Sequence, residues 1–380
     1  MQSIQTWAGV DVSAKSLEVR RWRAGAEQTR TFTNDSVGHG ELIRWLGTRV
    51  RICVEATGAY HLQLCMAAHA ARVEVMVVNP RVAKDFGGAL SNRSKTDKVD
   101  AATLLEYVRR MEFQPWEPPR RAVLELRELG RRIAQLVQLA VDEKNRRHAK
   151  TVASISEAVL EDVQAHIRQL EERIQAIEKQ AVAVIEADQD LREQYGILMG
   201  MTGVGRRSAV QLLTELAVLD PAMTVRQLVA HAGLDPRKYE SGTSVDKPVR
   251  ISKVGNARIR AILFMIALSA VRHDRHARRF YAALVVRGKK PMQALVAVMR
   301  KLLHGIWIVL QRRVAFDSTV LFPTASLAEA ESSDSAVPAN QPEPEQDHPQ
   351  GRSEAEELRK QLDPAPAEAT RSRKRKSKAA

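Results

Sequence analysis

Hydrophobic and polar positions alternate along the first hundred residues in a pattern that predicts a mixed α/β domain. Three strand-like segments come first, a helical segment follows, and two short apolar runs typical of buried strands then alternate with helical segments. The strand segments are TWAGVDVS, SLEVRRWRA, EQTRTFTN, VRICVEATG and VEVMVVNP, and the helical segments are HGELIRWLG, AYHLQLCMAAHAA and KTDKVDAATLLEYVRRM. The predicted element order is βββαβαβα, in a first domain that we place at residues 1–115.

A heptad pattern in residues 116–192 predicts an antiparallel helical hairpin with coiled-coil packing. Apolar residues in its second half recur at spacings of three and four, and the first half has the same pattern. The positions in the second half are Val163, Ile167, Leu170, Ile174, Ile177, Ala181 and Val184. Such a seam serves equally well between two helices of one chain or as a dimerising arm.

Residues 193–315 have mainly helical patterning and form the third predicted domain, whereas the chain beyond them lacks the composition of a folded domain. From Ala325 onward there is no aromatic residue, and proline and charged residues are frequent. Such a segment cannot bury enough apolar surface to offset its ordering entropy, so we predict that residues 316–380 are disordered. No run of 18 apolar residues is present, which argues against a transmembrane helix.

Composition narrows the class of partner and the compartment. The chain has 59 Lys and Arg against 45 Asp and Glu, a formal net charge of +14, and the whole excess lies in residues 1–324. A basic folded body is typical of proteins that bind nucleic acid, although an arginine-rich genome without a special partner gives the same balance. Cys53 and Cys65 have no CxxC spacing, and the N-terminus lacks secretory features, so a reducing interior is expected.

Four acidic residues occupy positions that a mixed sheet and its last helix would bring together. Asp11 ends the first predicted strand, Glu55 ends the fourth, and Asp97 and Asp100 share one face of the last helix. If the strands are ordered as in ribonuclease H, the two strand ends are neighbours. Carboxylates so placed suit Mg²⁺, which can clamp the attacking and leaving oxygens in phosphodiester chemistry. Solvated surface acids are the alternative for each residue taken alone.

A second motif, ILMGMTGVGRRSAVQLLTEL, places Gly203 and Gly205 between two helical stretches. It resembles a helix-hairpin-helix, in which glycines let a phosphate approach backbone N–H groups at a helix N-terminus. A plain corner between two helices is the alternative.

A third segment, AGLDPRKYESGTSVDKPVRISKVGNARIRAILF, combines a serine with many cations. Ser241 and Gly242 follow a proline-containing turn, in what the composition indicates is a polar loop. Five candidate phosphate-binding residues follow: Lys247, Arg250, Lys253, Arg258 and Arg260. From chemistry alone, the serine is an activated nucleophile, a hydrogen-bond donor to phosphate or a solvated turn residue.

The three motifs, in this order, resemble the DEDD transposases of the one-ten family of bacterial insertion sequences, over residues 5–310. The first half of the resemblance lies in GVDVSAKSLEV, CVEATGAYH and an NP pair followed by SKTDKVDA. The second half lies in LMGMTGVG, AGLDPRKYESG and ISKVGNARIRAILF. The resemblance implies an RNase H-like (RuvC-like) domain, a coiled-coil region and a mainly helical transposase domain. Glu240 stands where the family often has a small or polar residue.

The resemblance also implies roles for individual residues. Asp11, Glu55, Asp97 and Asp100 fall on the family's acidic positions, which bind Mg²⁺, and Ser241 falls on its nucleophilic serine. The implied activity is recombination of donor and target DNA guided by a non-coding bridge RNA. A homodimer or homotetramer in the bacterial cytoplasm, associated with the nucleoid and not with a membrane, is expected.

Two rival functions remain open at the level of sequence. One is a RuvC-like junction nuclease that uses a metal-activated water and no serine. The other is an architectural DNA-binding protein without enzymatic activity, although the presence of all four acids and of Ser241 argues against it.

Overall fold

The computed structural model describes residues 6–56, 58–90, 96–153, 156–241 and 245–322. Within these ranges the elements make an α/β body, a hairpin of two long helices and a mainly helical body that contains one β-hairpin. Residues 323–380, which include most of the segment predicted to be disordered, lie outside the described residues.

One five-stranded mixed sheet forms the centre of the α/β body. Its strands are β1 (Thr6–Val12), β2 (Ser16–Arg23), β3 (Ala26–Thr33), β4 (Val50–Glu55) and β5 (Glu74–Val78). The order across the sheet is β3-β2-β1-β4-β5. β2 is antiparallel to both of its neighbours, and β1, β4 and β5 are parallel. This is the ribonuclease H order considered above, and it makes β1 and β4 neighbours.

Four helices cover the two faces of this sheet. They are α1 (Ser36–Leu46), α2 (Leu62–Ala70), α3 (Pro80–Ala89) and α4 (Asp97–Arg110). Apolar residues of α1 and α2 pack against Ala8, Val10 and the other β residues of one face. The opposite face, which includes Trp7 and Cys53, packs against α4 and part of α3. The sheet is therefore buried on both sides.

Helix α3 is missing from the predicted element order, which is corrected to βββαβαβαα. The sequence pattern predicts Pro80 only as the end of a strand, whereas in the structure Pro80 is also the first residue of a helix. The Asn79 side chain accepts a hydrogen bond from the backbone N–H of Arg81 at 2.9 Å. Asparagine is a preferred N-cap, and proline at the first helical position loses no hydrogen bond. One Asn-Pro pair thus ends β5 and begins α3.

The long hairpin consists of α5 (Arg121–Ala153) and α6 (Glu157–Ala187). Polar contacts show that the two helices run antiparallel. Lys144 forms an ion pair with Glu171 at 2.7 Å nearer the middle, and Arg147 donates a hydrogen bond to Gln164 at 2.6 Å nearer the connection. The helical hairpin predicted for this region is therefore present.

The apolar seam of α6 is covered within the chain, by α5. The buried positions are Val163, Ile167, Leu170, Ile174, Ala181 and Ile185. Ile177 and Val184 are only half-buried, and Ile185 takes the place predicted for Val184. A straight α-helix drifts relative to a strict seven-residue repeat, which accounts for the shift by one residue. These residues pack as a helix pair of one chain, the first of the two roles considered for the seam.

The C-terminal body comprises seven helices and a two-stranded sheet among the described residues. The helices are α7 (Gln189–Met199), α8 (Arg206–Leu216), α9 (Val225–His231), α10 (Ala257–His273), α11 (Arg275–Val286), α12 (Pro291–Arg312) and α13 (Ser318–Leu321). The strands are β6 (Pro236–Ser241) and β7 (Val245–Ile251). The fold extends to Phe322, whose ring lies 5.4 Å from that of Phe280, so the predicted start of the disordered segment at residue 316 is wrong and residues 316–322 belong to this body.

The segment around Ser241 is a β-hairpin in the structure, which corrects the loop expected from its composition. β6 and β7 pair antiparallel, with Ser241 opposite Val245 and Pro236 opposite Ile251. β-branched and aromatic residues such as Tyr239 and Val249 favour strands. The charged residues between them hid this preference in the sequence.

Helix α12 is long and apolar enough to cross a membrane by length and composition alone. Most of its apolar stretch is buried inside the C-terminal body, where α12 packs against α10 and α11. We therefore interpret α12 as the core helix of this body.

Candidate functional site

Two carboxylates lie at the ends of neighbouring parallel strands. The register of β1 and β4 pairs Val10 with Val54, so the next residues, Asp11 and Glu55, come side by side at the carboxyl edge of the sheet. Alternate strand residues share a face, so Asp11 lies on the face of Gly9. Glu55 likewise lies on the face of Cys53, and both acids are half-buried.

A glycine lets α4 approach this face closely. A Cβ atom on Gly9 would lie 2.1 Å from the carbonyl oxygen of Ala101 and 2.2 Å from the backbone nitrogen of Leu105. Both distances are far below any tolerated contact, so only glycine fits at this position. The close approach fixes the height of α4 above β1, two residues before Asp11.

The direction of α4 follows from a contact near its other end. The guanidinium carbon of Arg109 lies 4.8 Å from the ring centroid of Trp22, and Trp22 pairs with Trp7 at the start of β1. Because Ala101 lies over Gly9 and Arg109 lies towards Trp7, α4 runs antiparallel to β1. The first turn of α4, which contains Asp97 and Asp100, therefore lies at the carboxyl edge of β1.

The start of α4 is set by a side-chain cap. The Oγ1 atom of Thr96 accepts a hydrogen bond from the backbone N–H of Val99 at 3.3 Å, and Asp97 is the first helical residue. The side chain of Asp100 is half-buried, whereas that of Asp97 lies outside the described part of the structure. The backbone thus brings all four predicted acidic positions to one edge.

The donor atoms at this edge suit a hard divalent cation, because all four residues offer carboxylate oxygens. Among the described side chains, which include those of Asp11, Glu55 and Asp100, no three or more His, Cys, Asp or Glu are gathered as a metal-binding group. The positions fit a divalent cation by chemistry and by placement on the sheet.

A residue outside the predicted site connects the loops at this edge of the sheet. Asn34, which follows β3, donates hydrogen bonds from Nδ2 to the backbone oxygens of Ser13 at 2.8 Å and Tyr60 at 3.2 Å. Its Oδ1 atom lies 2.8 Å from Nε2 of His39. The loops after β1 and β4 are therefore held in place beside the acids. The only signal in the sequence was a polar Asn-Asp pair directly after a strand.

The two glycines of the second motif have different surroundings. A Cβ on Gly203, whose φ is 93°, would lie 2.9 Å from the backbone nitrogen of Ala270 in α10. Packing between the α7–α8 turn and α10 therefore explains this glycine. Gly205 is the exposed N-cap of α8, with open space where its Cβ would be. Of the two, Gly205 remains the candidate for a phosphate contact.

The candidate phosphate-binding residues differ in how far their side chains are exposed. Arg250 and Arg258 are exposed near the base of the β6–β7 hairpin, and the side chain of Lys247 lies outside the described part. Lys253 is half-buried. Arg260 donates a hydrogen bond to the backbone oxygen of Ala232 at 3.0 Å, so part of its role is structural.

Buried polar contacts hold the chain at the open end of the β6–β7 hairpin, which carries Ser241. Asn256, the N-cap of α10, donates from its backbone N–H to the oxygen of His231 at 2.7 Å. The Nδ2 atom of Asn256 donates to Oε2 of Glu215 at 2.7 Å, and Glu215 is only 3% exposed. Arg131 of α5 approaches the same carboxylate at 3.7 Å. The base of the hairpin is thus joined to α5, α8 and α9.

Burial shifts the ionisation of the groups around this base. It lowers the pKa of His231, against the opposing effect of the Glu215 carboxylate. It also lowers the pKa of Arg127, with a further contribution from the nearby Arg131 guanidinium. The imidazole of His231 is therefore held in its neutral form more strongly than a solvated histidine.

The acids and the serine occupy separate parts of the described chain. The described elements with extensive packing form two groups. One group contains β1–β5 and α1–α4, and the other contains α5–α13. The backbone of Ser241 ends β6, whose extensive packing is with β7, while its side chain lies outside the described part.

Comparisons with known proteins identify the family from two separate stretches of the chain. A model named for the DEDD transposases of IS110, described as transposase, matches residues 8–152. A second model, described as transposase of the IS116/IS110/IS902 family, matches residues 195–282. The chain belongs to the IS110 family of transposases. It is accordingly a DNA transposase or recombinase, and the resemblance seen in the sequence is confirmed.

Similar proteins include full-length and partial relatives. A pilin gene-inverting protein of Moraxella lacunata is 26% identical over 324 residues, which is 83% of this chain and 99% of that protein. An uncharacterized 43.6 kDa protein of insertion element IS110 from Streptomyces coelicolor is 27% identical over 42% of this chain and 38% of its own. The similarity to this chain thus extends over nearly the whole length of the Moraxella protein.

One solved structure also matches part of the chain. The T. thermophilus RuvC in complex with Holliday junction substrate covers 30% of this chain and 99% of its own, at 15% identity and a TM-score of 0.23. The RNase H-like character of the α/β body rests on its strand order and strand directions instead.

Proposed function

We propose that this IS110-family enzyme cuts and rejoins DNA through a covalent bond between Ser241 and a DNA phosphate, at a site that also uses Asp11, Glu55, Asp97 and Asp100. The observation that carries the proposal is the placement of the four acids. The register of β1 and β4 and the Gly9 approach of α4 bring them to one sheet edge. A divalent cation there, which we propose to be Mg²⁺, would polarise the scissile phosphate and stabilise developing charge.

The protein side chains would carry the remaining chemistry. The Ser241 hydroxyl loses its proton to a base as its oxygen attacks phosphorus, and the bond from phosphorus to the 3′ oxygen breaks. The leaving oxygen takes up a proton and becomes a 3′-hydroxyl, and the phosphate stays on the serine. Rejoining by attack of a 3′-hydroxyl reverses the step and needs no ATP, because the covalent link conserves the bond energy.

The substrate side of the proposal is supported by charge and by a relative. Residues 241–313 contain 16 Lys and Arg against only Asp246 and Asp274 as acids. Such a surface suits the phosphates of donor and target DNA and of a non-coding bridge RNA that selects sequence by base pairing. The relative from Moraxella is described as a gene-inverting protein, which is consistent with strand exchange here.

The separation of acids and serine supports a composite site. Because no extensive packing among the described elements joins the acid edge to the β6–β7 hairpin, we propose that a homodimer or homotetramer on DNA brings Ser241 of one copy to the acids of another. Mixing Ser241→Ala protein with Asp11→Asn protein tests this arrangement. Each variant alone should be inactive, and the mixture should regain partial recombination. If both variants are inactive and mixing restores nothing, the serine acts on the acids of its own chain.

A metal-dependent junction nuclease is the second candidate. It is favoured by one observation, namely that among the described residues the five-stranded sheet and α4 form the acid edge and have no extensive packing with the serine hairpin. The discriminating experiment traps reaction products on labelled DNA and denatures them. A DNA-linked protein supports the serine recombinase, and free cleaved DNA without linked protein supports the nuclease. Sequencing small RNAs that co-purify with the protein tests the guide: one recurrent species supports it, and random fragments contradict it.

A further inference from the structure

A fifth carboxylate faces the same side of the sheet as the four proposed acids. Glu18 lies in β2, and its register partner across the strand pair is Asp11. Directly paired residues of antiparallel strands share a face, with Cβ atoms about 4.5–5.5 Å apart. Trp22, four residues further along β2, confirms that this is the α4 face because it contacts Arg109. Glu18 is therefore a close neighbour of Asp11.

Glu18 is buried but only half satisfied. It is 9% exposed, and its Oε2 atom accepts a hydrogen bond from Oγ1 of Thr31 at 2.6 Å. Its Oε1 atom is buried and has no hydrogen-bond partner among the described residues. Burying an unsatisfied carboxylate oxygen costs free energy unless a proton donor or a cation compensates it.

An acid on the next strand shows the ordinary arrangement. The side chain of Glu27 on β3 is 38% exposed and forms an ion pair with Arg20 at 2.5 Å. Glu27 therefore keeps both solvent and a cationic partner, whereas Glu18 has neither for its Oε1 atom. The difference indicates that the environment of Glu18 is completed by something that binds at the acid edge.

We propose that Glu18 is a positioning residue of the acid site, which adds negative charge beside the bound divalent cation and whose Oε1 atom would accept a hydrogen bond from a group that binds the cation. This inference rests on the proposed function, because it requires a cation beside Asp11. The contact with Thr31 orients the Glu18 carboxylate and leaves Oε1 available as an acceptor. Groups that surround metal ligands in this way commonly change metal affinity by about 10–100-fold.

Glu18→Gln tests the inference in the full-length protein. Glutamine has the same size and retains an acceptor oxygen for Thr31, but it removes the charge. Titration calorimetry with Mn²⁺ and with Mg²⁺ should show affinity weakened by about 10–100-fold. The unfolding temperature without metal should stay the same or rise, because a buried charge is removed. Glu27→Gln, the matched control on β3, should leave metal affinity unchanged.

A purely structural role for Glu18 gives the opposite result. In that case Glu18→Gln lowers the metal-free unfolding temperature and leaves the metal affinity unchanged, which would overturn the inference. Thr31→Val is a second variant that retains Glu18 and removes only its orienting hydroxyl. It should also weaken metal binding, by less than Glu18→Gln, and wild-type affinity in both folded variants would overturn the inference.

Asp11→Asn separates this inference from the proposed function. If Asp11→Asn loses metal binding while Glu18→Gln retains it, the role of Glu18 is wrong and the acid site stands. If Asp11→Asn also binds Mn²⁺ and Mg²⁺ with wild-type affinity, the acid site itself is wrong, and the proposed function fails with it.

Discussion

The acid edge and the serine hairpin are built in different ways. Asp11 and Glu55 end two central strands of a sheet that is covered by helices on both faces, so their places are fixed by strand register and by the Gly9 contact with α4. Ser241 ends one strand of a two-stranded sheet, whose base is braced by Asn256 and Glu215. The comparison favours a fixed site for metal and phosphate at the acid edge, to which a nucleophile from a different part of the structure is brought.

The largest effect on activity is expected from a substitution at the acid edge. Asp11→Asn keeps the shape of the side chain but removes a negative charge from the proposed cation site. Strand cleavage should fall by about 10²–10³-fold or more, because charge stabilisation in the transition state is lost. DNA and RNA binding should remain, since they depend on the basic surface of the other body. Cleavage by the variant at the wild-type rate would contradict the four-acid site.

Substitution of Gly9 tests whether its close contact with α4 positions the acid edge. Gly9→Ala places a methyl group inside the backbone of α4, so the helix must shift away from β1. We expect a loss of about 1–3 kcal/mol in the free energy of unfolding, and weaker metal binding. Gly40→Ala is the control, because Gly40 lies within α1 with open space around it. The control should be neutral or stabilising by up to about 1 kcal/mol, as measured by chemical denaturation.

The buried contact between Glu215 and Asn256 should affect the serine hairpin and not the acid edge. Glu215→Ala removes the acceptor of the Asn256 side chain in a buried site and leaves Arg131 without this partner. We expect a loss of about 1–3 kcal/mol in stability and a loss of recombination, with metal affinity unchanged. Glu215→Gln keeps the acceptor oxygen and should be milder. Reduced metal affinity in Glu215→Ala would show that the two parts are coupled.

The basic surface should give a smaller and salt-dependent effect. Arg258 is exposed at the start of α10, where it can contact a phosphate. Arg258→Gln should reduce the slope of log K against log salt by about 0.9 on duplex DNA, uniformly across sequences. Fluorescence anisotropy at several salt concentrations measures the slope. An unchanged slope would remove Arg258 from the phosphate-binding surface.

The smallest effect is expected from the C-terminal segment. The described fold ends at Phe322, and the composition beyond it predicts no core. Truncation after Thr324 should therefore leave the unfolding temperature and cleavage unchanged. Insoluble or unfolded truncated protein would show that this segment docks on the rest of the chain.

Much of the acid edge could be predicted from the sequence, because the sequence signals for its strands and helix are local. Apolar runs that end in Asp11 and Glu55 predict strand ends, and apolar spacing predicts the helix that carries Asp97 and Asp100. The Gly9 contact could not be predicted, because a glycine within a strand does not indicate which backbone approaches it. The burial of Glu18 was hidden for a similar reason, since its neighbours Thr31 and Asp11 are set by strand register.

The serine segment was harder to predict because tertiary contacts override its local preferences. Charged residues between Tyr239 and Ile251 indicate a loop, but strand pairing makes them a hairpin. The role of Gly203 was likewise decided by α10, which is distant in sequence. The cations around Ser241 left three roles open, and only the resemblance to a known family selected the nucleophile, because the surroundings of Ser241 in the sequence do not distinguish it from a turn serine.

Covalent capture of DNA by Ser241 is the most direct test of the central claim. Wild-type protein, Ser241→Ala and Asp11→Asn are each incubated with labelled donor DNA and Mg²⁺, denatured, and separated by size. The account predicts a DNA-linked band in the wild type that maps to Ser241 by mass spectrometry, and no such band in either variant, although both still bind DNA. A linked band of wild-type intensity in Ser241→Ala would contradict the serine mechanism.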